Sequence, residues 1–242
     1  MKLLLIGDSH IGALKRGHDH LVAQNETDPA VSLTILPLAN GANLSQPFWE
    51  PAEGYARIID EEVRDRMDRV PPEGLSFDAI GFSMALWHGR VMRRMVGGNH
   101  CLPGMRSGRP ISRAVFRKMV EADHAHILGL LDHFHAQGQP VFSIAPPAVF
   151  RDSQAIGRIG AERVLGIFQA FQEIMRAELA KRVAPVIDFP PECLDDEGYM
   201  RALYKHPDPM DPHHANEAFG VLMIRRIEAW ARAFADEQAA RA

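Results

Sequence analysis

The chain has 242 residues, of which 46% are hydrophobic and 24% are charged, so we expect a single domain, residues 1–242, with a core of ordinary size. Its formal net charge is -4 and no basic stripe stands out, which argues against a nucleic-acid partner. The two cysteines, Cys101 and Cys193, lie far apart without a CxxC partner, so neither a disulfide framework nor a zinc–thiolate site is expected.

The chain begins with an apolar run, residues 1–6, that stops at Gly7-Asp8. This run is shorter than the apolar region of a signal peptide, and no small-residue cleavage site follows it, so it predicts a first β-strand. No segment approaches the roughly 20 apolar residues that a membrane-spanning helix needs. We therefore expect a cytoplasmic protein without a membrane partner.

Apolar periodicity and turn residues divide the rest of the chain into alternating strands and helices. The predicted strands are 2–6, 31–36, 77–86, 140–145 and 184–189. The predicted helices begin near residue 11 and then span 55–70, 112–136 with Ser112 as N-cap, 161–182 and 217–235. Residues 89–110 are rich in Arg, Gly and Pro and predict a long loop.

This alternation favours an α/β fold with a mainly parallel sheet of about five strands and helices on both faces. In such sheets, ligands bind beyond the carboxyl ends of the strands. Residues that directly follow a predicted strand are therefore the first candidates for a functional site.

Ser9 is the first such candidate, within Gly7-Asp8-Ser9-His10 directly after the first strand. A serine hydroxyl becomes a good nucleophile only beside a base. Gly7 allows a sharp turn, and a helix that begins near Ser9 offers free N–H groups to an oxyanion. By themselves, however, these residues favour a simple helix N-cap over a nucleophile.

Asp211 and His214 supply the missing base, just before the last predicted helix. An aspartate three residues before a histidine can hold the imidazole through its Nδ1–H and stabilise the imidazolium. His206 and His213 could compete as the base, but the Asp-x-x-His spacing selects His214. Together, Ser9, Asp211 and His214 form a candidate nucleophile–base–carboxylate set.

The two ends of the chain resemble the SGNH/GDSL hydrolase family. The resemblance rests on Gly7-Asp8-Ser9 after the first strand and on the Asp-x-x-His-x-Asn run of Asp211, His214 and Asn216. It implies a flavodoxin-like three-layer α/β/α sandwich. It also implies a serine esterase or deacylase that acts on small-molecule or carbohydrate esters, and the residues suggest no cofactor.

Carried over residue by residue, the resemblance makes Ser9 the nucleophile, His214 the general base and Asp211 its orienting carboxylate. The oxyanion hole would take one backbone N–H from Ser9 and a second from Gly41, in the loop after the second strand. The substrate site would be lined by nearby polar and aromatic residues: His10, Asn43, Trp87 and His88.

The third family block is where this sequence departs from the pattern. The family has Gly-x-Asn after the third strand, and here Ala85 and Trp87 stand at the Gly and Asn positions. A Gly-Gly-Asn run that ends at Asn99 matches the letters but lies further along, so Asn99 is our prediction for the third oxyanion donor. Asn43 and His88 are the other candidates.

A missing oxyanion donor typically costs about 10²–10³ in rate. The departure therefore leaves two other functions open besides hydrolysis. One is an O-acyltransferase that uses the same residues, and the other is a non-catalytic ligand-binding protein of the same fold.

Three further patterns compete for a functional interpretation. Gly81-Phe82-Ser83-Met84-Ala85 approaches the α/β-hydrolase elbow, with Asp188 and His214 as partners, but a buried strand serine is the better explanation. His126 and His133 lie seven apart on one predicted helix, but a zinc site needs three or four ligands, so no metal is expected. Five arginines could form an anion clamp, although a solvated loop explains them better: Arg90, Arg93, Arg94, Arg106 and Arg109.

Overall fold

The computed structural model describes residues 1–38 and 41–241. Its central sheet has five strands: β1 (Lys2–Gly7), β2 (Ser32–Pro37), β3 (Ala79–Phe82), β4 (Val141–Ile144) and β5 (Val186–Ile187). All neighbouring strands are parallel, and their spatial order is β2-β1-β3-β4-β5. This is the flavodoxin-like order, in which the direction of strand addition reverses between β1 and β3.

Helices cover both faces of the sheet: α1 (Ile11–Ala23), α2 (Glu61–Arg64), α3 (Gly89–Gly97), α4 (Arg113–Ala136), α5 (Gln154–Ile159), α6 (Ala161–Lys181) and α7 (Glu217–Arg241). Leu3 and Leu5 of β1 pack in one apolar cluster with α1 and α7. Leu4 and Ile6 pack in a second cluster with α4 and α6. Because strand side chains alternate between faces, the continuous apolar run of β1 serves both layers. The predicted α/β/α sandwich is confirmed.

Smaller elements lie outside the central sheet. An antiparallel sheet comprises Trp49–Ala52, Tyr55–Ile58 and Arg69–Val70, and a parallel pair comprises His100–Cys101 and Arg109–Pro110. Short 3-10 turns span Asn43–Ser45, Pro191–Cys193 and Ala202–Tyr204. Within residues 1–38 and 41–241, no helix is long and apolar enough to cross a bilayer.

The predicted helix over 55–70 is wrong. Ala52 pairs with Tyr55 at the end of a β-hairpin, whose turn contains Gly54 with φ at 79°. A positive φ suits glycine, and it returns the chain as a strand rather than as a helix. Helical structure begins only at α2, where the side chain of Asp60 accepts a hydrogen bond from the backbone N–H of Val63.

The predicted loop over 89–110 is also partly wrong, because its first nine residues form α3. Elsewhere the predicted elements are present with shifted ends: β5 is shorter, and α7 continues to Arg241. Ser112 caps α4 as predicted, accepting a hydrogen bond from the Val115 N–H.

Helices α1 and α7 pack with their backbones in contact. A Cβ added to Gly220 would lie 1.8 Å from the carbonyl oxygen of Ala13, and one added to Gly17 would lie 2.1 Å from the Gly220 carbonyl carbon. Any larger side chain would separate these helices. Since Ser9 lies just before α1 and His214 just before α7, this close packing brings the two chain ends together.

Candidate active site

Ser9 lies in the turn between β1 and α1, at the edge of the sheet where β1 and β3 diverge. The turn passes close to the residue after β3, because a Cβ on Gly7 would lie 1.9 Å from the Ser83 hydroxyl oxygen. Only glycine fits at position 7. The side chain of Ser9 is exposed, whereas Asp8 beside it is fully buried.

A hydrogen-bonded chain connects Ser9, His214 and Asp211. The Ser9 Oγ lies 2.7 Å from His214 Nε2, across 205 positions of sequence. On the other side of the ring, Nδ1 lies 2.8 Å from Asp211 Oδ2, and the His214 backbone N–H donates to Asp211 Oδ1 at 3.0 Å. With the ring proton on Nδ1, the Nε2 lone pair accepts the hydrogen bond from the serine hydroxyl.

Electrostatics favour a carboxylate and a neutral imidazole in this chain. Burial alone would raise the pKa of Asp211, but hydrogen bonds from the His214 backbone and ring and from the His213 backbone lower it to about 2. Burial, together with the nearby His10, lowers the pKa of His214 despite its bond to Asp211. His214 is therefore an unprotonated acceptor at neutral pH.

A second aspartate–histidine pair lies behind Ser9. The backbone N–H and ring Nδ1 of His10 each lie 3.0 Å from Asp8 Oδ1. Burial raises the pKa of Asp8, but its interactions with His10 and the nearby Arg90 charge bring that pKa below its ordinary value. The His10 Nε2 atom is buried and has no partner among the described residues. The predicted residue His10 thus lies at the site, its ring centroid 4.7 Å from that of His214.

A cavity of about 320 Å³ opens beside Ser9. Residues 148–150, which follow β4, contribute apolar side chains to it, and the predicted residues Trp87 and His88 line it from the end of β3. Burial is the main reason that the pKa of His88 falls to about 3, so its ring is neutral. Its Nδ1 is buried without a hydrogen-bond partner in the described part of the chain.

Gly41 also lines this cavity. Its position is fixed by Arg90 of α3, whose guanidinium donates to the Gly41 carbonyl and to Asp123 Oδ2. Within residues 1–38 and 41–241, neither the Ser9 N–H nor the Gly41 N–H has a hydrogen-bond acceptor. As far as the described residues go, both amides are thus available to a ligand. Residues 39 and 40 of the same predicted loop lie outside the described residues.

Two predicted residues are not brought to Ser9. Asn99 lies beyond the far end of α3, roughly 13 Å of helix from His88, and its Oδ1 accepts hydrogen bonds from Arg163. Asn43 donates its side-chain amide to Glu62 and does not line the cavity. The prediction of Asn99 as an oxyanion donor and that of Asn43 as a lining residue are corrected accordingly.

The alternative nucleophile elbow at Ser83 is wrong. Ser83 is 3% exposed and lies under Gly7, away from any hydrogen-bond partner in the described chain. Asp188 binds Arg176 through both carboxylate oxygens, at 2.6 and 2.8 Å. The histidine that this elbow would need, His214, contacts Ser9 instead.

The arginines of residues 89–110 and the histidines of α4 make several different contacts in the structure. Arg90 and Arg94 both contact Asp123, and of the five arginines only Arg93 lines the cavity beside Ser9. His133 Nε2 lies 2.9 Å from the Tyr55 carbonyl oxygen, to which it donates. The five arginines are therefore not gathered beside Ser9, although Arg90, Arg93 and Arg94 line a second pocket together with Asp123, and His133 is engaged with the backbone of Tyr55.

Sequence reasoning missed a different histidine cluster. One ring nitrogen from each of His10, His213 and His214 lies within 4.8 Å of the others. His213 stacks on Trp87, with ring centroids 5.5 Å apart and an interplanar angle of 26°. Burial, with the neighbouring histidines, lowers the pKa of His213 to about 4, so it too is neutral. The signal in the sequence was indirect: His10 follows Ser9 and His213 precedes His214, so the predicted pairing of Ser9 with His214 also brings these two rings near each other.

The chain matches no known family profile, and no curated protein sequence matches it. Solved structures nevertheless share its architecture. A proposed acylhydrolase from Bacteroides fragilis is 13% identical, with 96% of this chain and 87% of that chain covered and a TM-score of 0.53. A proposed lipolytic protein of the G-D-S-L family from Desulfitobacterium hafniense is 11% identical, with 94% and 98% covered and a TM-score of 0.51. The chain has an SGNH/GDSL hydrolase fold.

Proposed function

We propose that this protein is a serine esterase or deacylase that cleaves an acyl ester through an acyl-enzyme on Ser9. The observation that carries the proposal is the hydrogen-bonded chain in which His214 joins the Ser9 hydroxyl to the Asp211 carboxylate. A serine hydroxyl is activated when an adjacent base accepts its proton and a carboxylate orients that base. The likeness of fold to a proposed acylhydrolase and a proposed lipolytic protein supports the same class of reaction.

The reaction would proceed in two halves. Ser9 Oγ forms a bond to the acyl carbon while His214 Nε2 takes the hydroxyl proton, and the tetrahedral intermediate collapses as the same proton passes to the leaving alcohol. Water then attacks the acyl-enzyme, gives its proton to His214, and the acid leaves as Ser9 recovers its proton. Asp211 stays ionised throughout, since its pKa is about 2.

The negative charge on the intermediate would be stabilised by the backbone N–H groups of Ser9 and Gly41, which have no acceptor among the described residues. In place of the absent asparagine, we assign the third donor to His88. Its ring is neutral, buried and at the cavity wall after β3, and a neutral imidazole carries one N–H. Preorganised donors of this kind provide a large share of such a rate enhancement.

A small-molecule or carbohydrate ester is the substrate class that we propose. A cavity of about 320 Å³ accommodates a small acyl group, and its apolar side at 148–150 suits hydrocarbon. Ester hydrolysis by these residues uses no cofactor. A single domain over 1–242, a cytoplasmic location and the absence of nucleic-acid and membrane partners stay predictions from the sequence.

The test compares Ser9→Ala with a matched control, Ser83→Ala, which removes the buried serine of the alternative elbow. We expect hydrolysis of p-nitrophenyl acetate to be abolished in Ser9→Ala and retained in Ser83→Ala, and a fluorophosphonate probe to label the peptide that contains Ser9. Undiminished hydrolysis in Ser9→Ala would reject the mechanism. Absence of labelling, with no ester turnover, would favour a non-catalytic binding protein.

A further inference from the structure

Three imidazole rings converge beside Ser9, yet the proposed mechanism uses only one of them. His10, His213 and His214 each place one nitrogen within 4.8 Å of the others. Zinc–nitrogen bonds of about 2.0–2.1 Å put the ligand atoms of a tetrahedral site roughly 3.4 Å apart. Small ring rotations would therefore let all three nitrogens reach one ion.

The free nitrogen of His10 is the second sign of a ligand site. Its Nδ1 is held by Asp8, so the nitrogen that remains is Nε2, which is buried and unpartnered within residues 1–38 and 41–241. The side chain of His10 is only 2% exposed, so water does not readily satisfy this atom. A buried lone pair without a donor is costly unless a ligand occupies it.

The two carboxylates prepare their histidines for a metal. Asp8 binds the Nδ1 of His10, and Asp211 binds the Nδ1 of His214. A histidine whose Nδ1–H donates to a carboxylate presents an unprotonated Nε2, and this carboxylate–histidine arrangement is the one that orients zinc ligands. His213 is the most exposed of the three rings and would complete the set from the cavity side.

We propose that His10, His213 and His214 form a binding site for a zinc-type transition-metal cation, which inhibits the enzyme reversibly. Imidazole ligands select cations of this class over magnesium or calcium. The inhibition part of the proposal rests on the proposed esterase function. His214 Nε2 has one lone pair, so an ion bound there removes the acceptor of the Ser9 proton.

The experiment measures Zn²⁺ binding and esterase inhibition separately. Chelator-treated protein is titrated with Zn²⁺ in a calorimeter, and we expect one ion per chain. His213→Ala should raise the dissociation constant for Zn²⁺ at least tenfold, since even the loss of a group that only hydrogen-bonds to a metal ligand lowers metal affinity by about 10–100-fold. His135→Ala, which removes an exposed histidine of α4, is the matched control and should bind as the wild type does.

In parallel, Zn²⁺ should slow p-nitrophenyl acetate hydrolysis by the wild type, and EDTA should restore it. The Zn²⁺ concentration for half inhibition should rise at least tenfold in His213→Ala and stay unchanged in His135→Ala. Zinc binding that does not depend on His213 would overturn the site. A protein that binds zinc through His213 but hydrolyses no ester would retain the site and reject the esterase, so the two failures are distinguishable.

Discussion

Two aspartate–histidine pairs flank Ser9, and they differ in burial and in what the second ring nitrogen contacts. In both, the carboxylate accepts hydrogen bonds from the backbone N–H and from Nδ1 of its histidine. Asp8 and His10 are almost fully buried, whereas the side chains of Asp211 and His214 are about one-fifth exposed. Nε2 of His214 lies 2.7 Å from the Ser9 hydroxyl oxygen, and Nε2 of His10 has no hydrogen-bond partner among the described residues.

The comparison shows that a short aspartate–histidine motif orients an imidazole but does not determine its chemical role. Local hydrogen bonds fix the tautomer in both pairs. What the free nitrogen does depends on the group that tertiary packing places opposite it. In one pair that group is a nucleophile, whereas in the other the nitrogen has no hydrogen-bond partner among the described residues and its ring packs on Trp87, with ring centroids 3.9 Å apart.

Replacing each histidine by alanine should separate the pairs most strongly. We expect His214→Ala to lower kcat/KM by about 10⁴-fold or more, as loss of the base does in other serine hydrolases. His10→Ala should cost at least a hundredfold less, because the ring that is hydrogen-bonded to the Ser9 hydroxyl is that of His214. Steady-state kinetics with p-nitrophenyl acetate measure both, and circular dichroism checks folding. Equal losses in two folded variants would contradict the distinction.

The carboxylates should show the same order with smaller effects. Asp211→Asn keeps the shape but disfavours the tautomer that the base needs, so we expect kcat to fall by about 10³–10⁴-fold. Asp8→Asn should cost at least tenfold less in kcat, because the ring it holds takes no proton from Ser9. The measurement is kcat in the two variants. A larger loss in Asp8→Asn would mean that the general base belongs to the pair of Asp8 and His10, and that its assignment to His214 is wrong.

Arg90 distinguishes the surroundings of the two pairs, since it binds the Gly41 carbonyl and lowers the pKa of Asp8. Arg90→Met removes the shorter of two arginine contacts to the buried Asp123, leaves only the longer one from Arg94, and should cost up to about 3–5 kcal/mol of stability. Loss of the Gly41 contact should also lower kcat by up to about 10²-fold, the low end for an oxyanion donor. Arg90→Lys should recover part of the stability. An unchanged kcat in a folded Arg90→Met protein would argue that Gly41 is not a donor of the oxyanion hole.

The smallest expected effect is a shift in pH dependence. Burial, with His10 nearby, holds the pKa of His214 below 6.5, and a base acts only when unprotonated. Activity should therefore be full at neutral pH and fall as the pH drops through this lowered pKa. His10→Gln should move the acidic midpoint of kcat/KM upward toward 6.5, because the nearby histidine contributes to the lowering. A midpoint that His10→Gln leaves unchanged would show that His10 does not influence the pKa of His214.

Much of the fold follows from local patterns in the sequence. Continuous apolar runs identify buried parallel strands, and helical periodicity identifies α4, α6 and α7, because burial dictates both patterns. The same reasoning fails for the segment 55–70. Its apolar residues have helical spacing by chance, although they belong to a four-residue strand and a four-residue helix. There the turn at Gly54 decided the structure, not the periodicity.

Sequence by itself determined the chemical groups of the candidate site: a serine after β1 and an aspartate three residues before a histidine. These are local features, fixed by a turn and by a short hydrogen-bonded loop. Only tertiary structure decided that Ser9 and His214 meet at 2.7 Å, that Asn99 turns to Arg163, and that His10 joins the cluster. The physical reason is that such contacts depend on the packing of helices and strands distant in sequence, here above all on the close approach of α1 and α7.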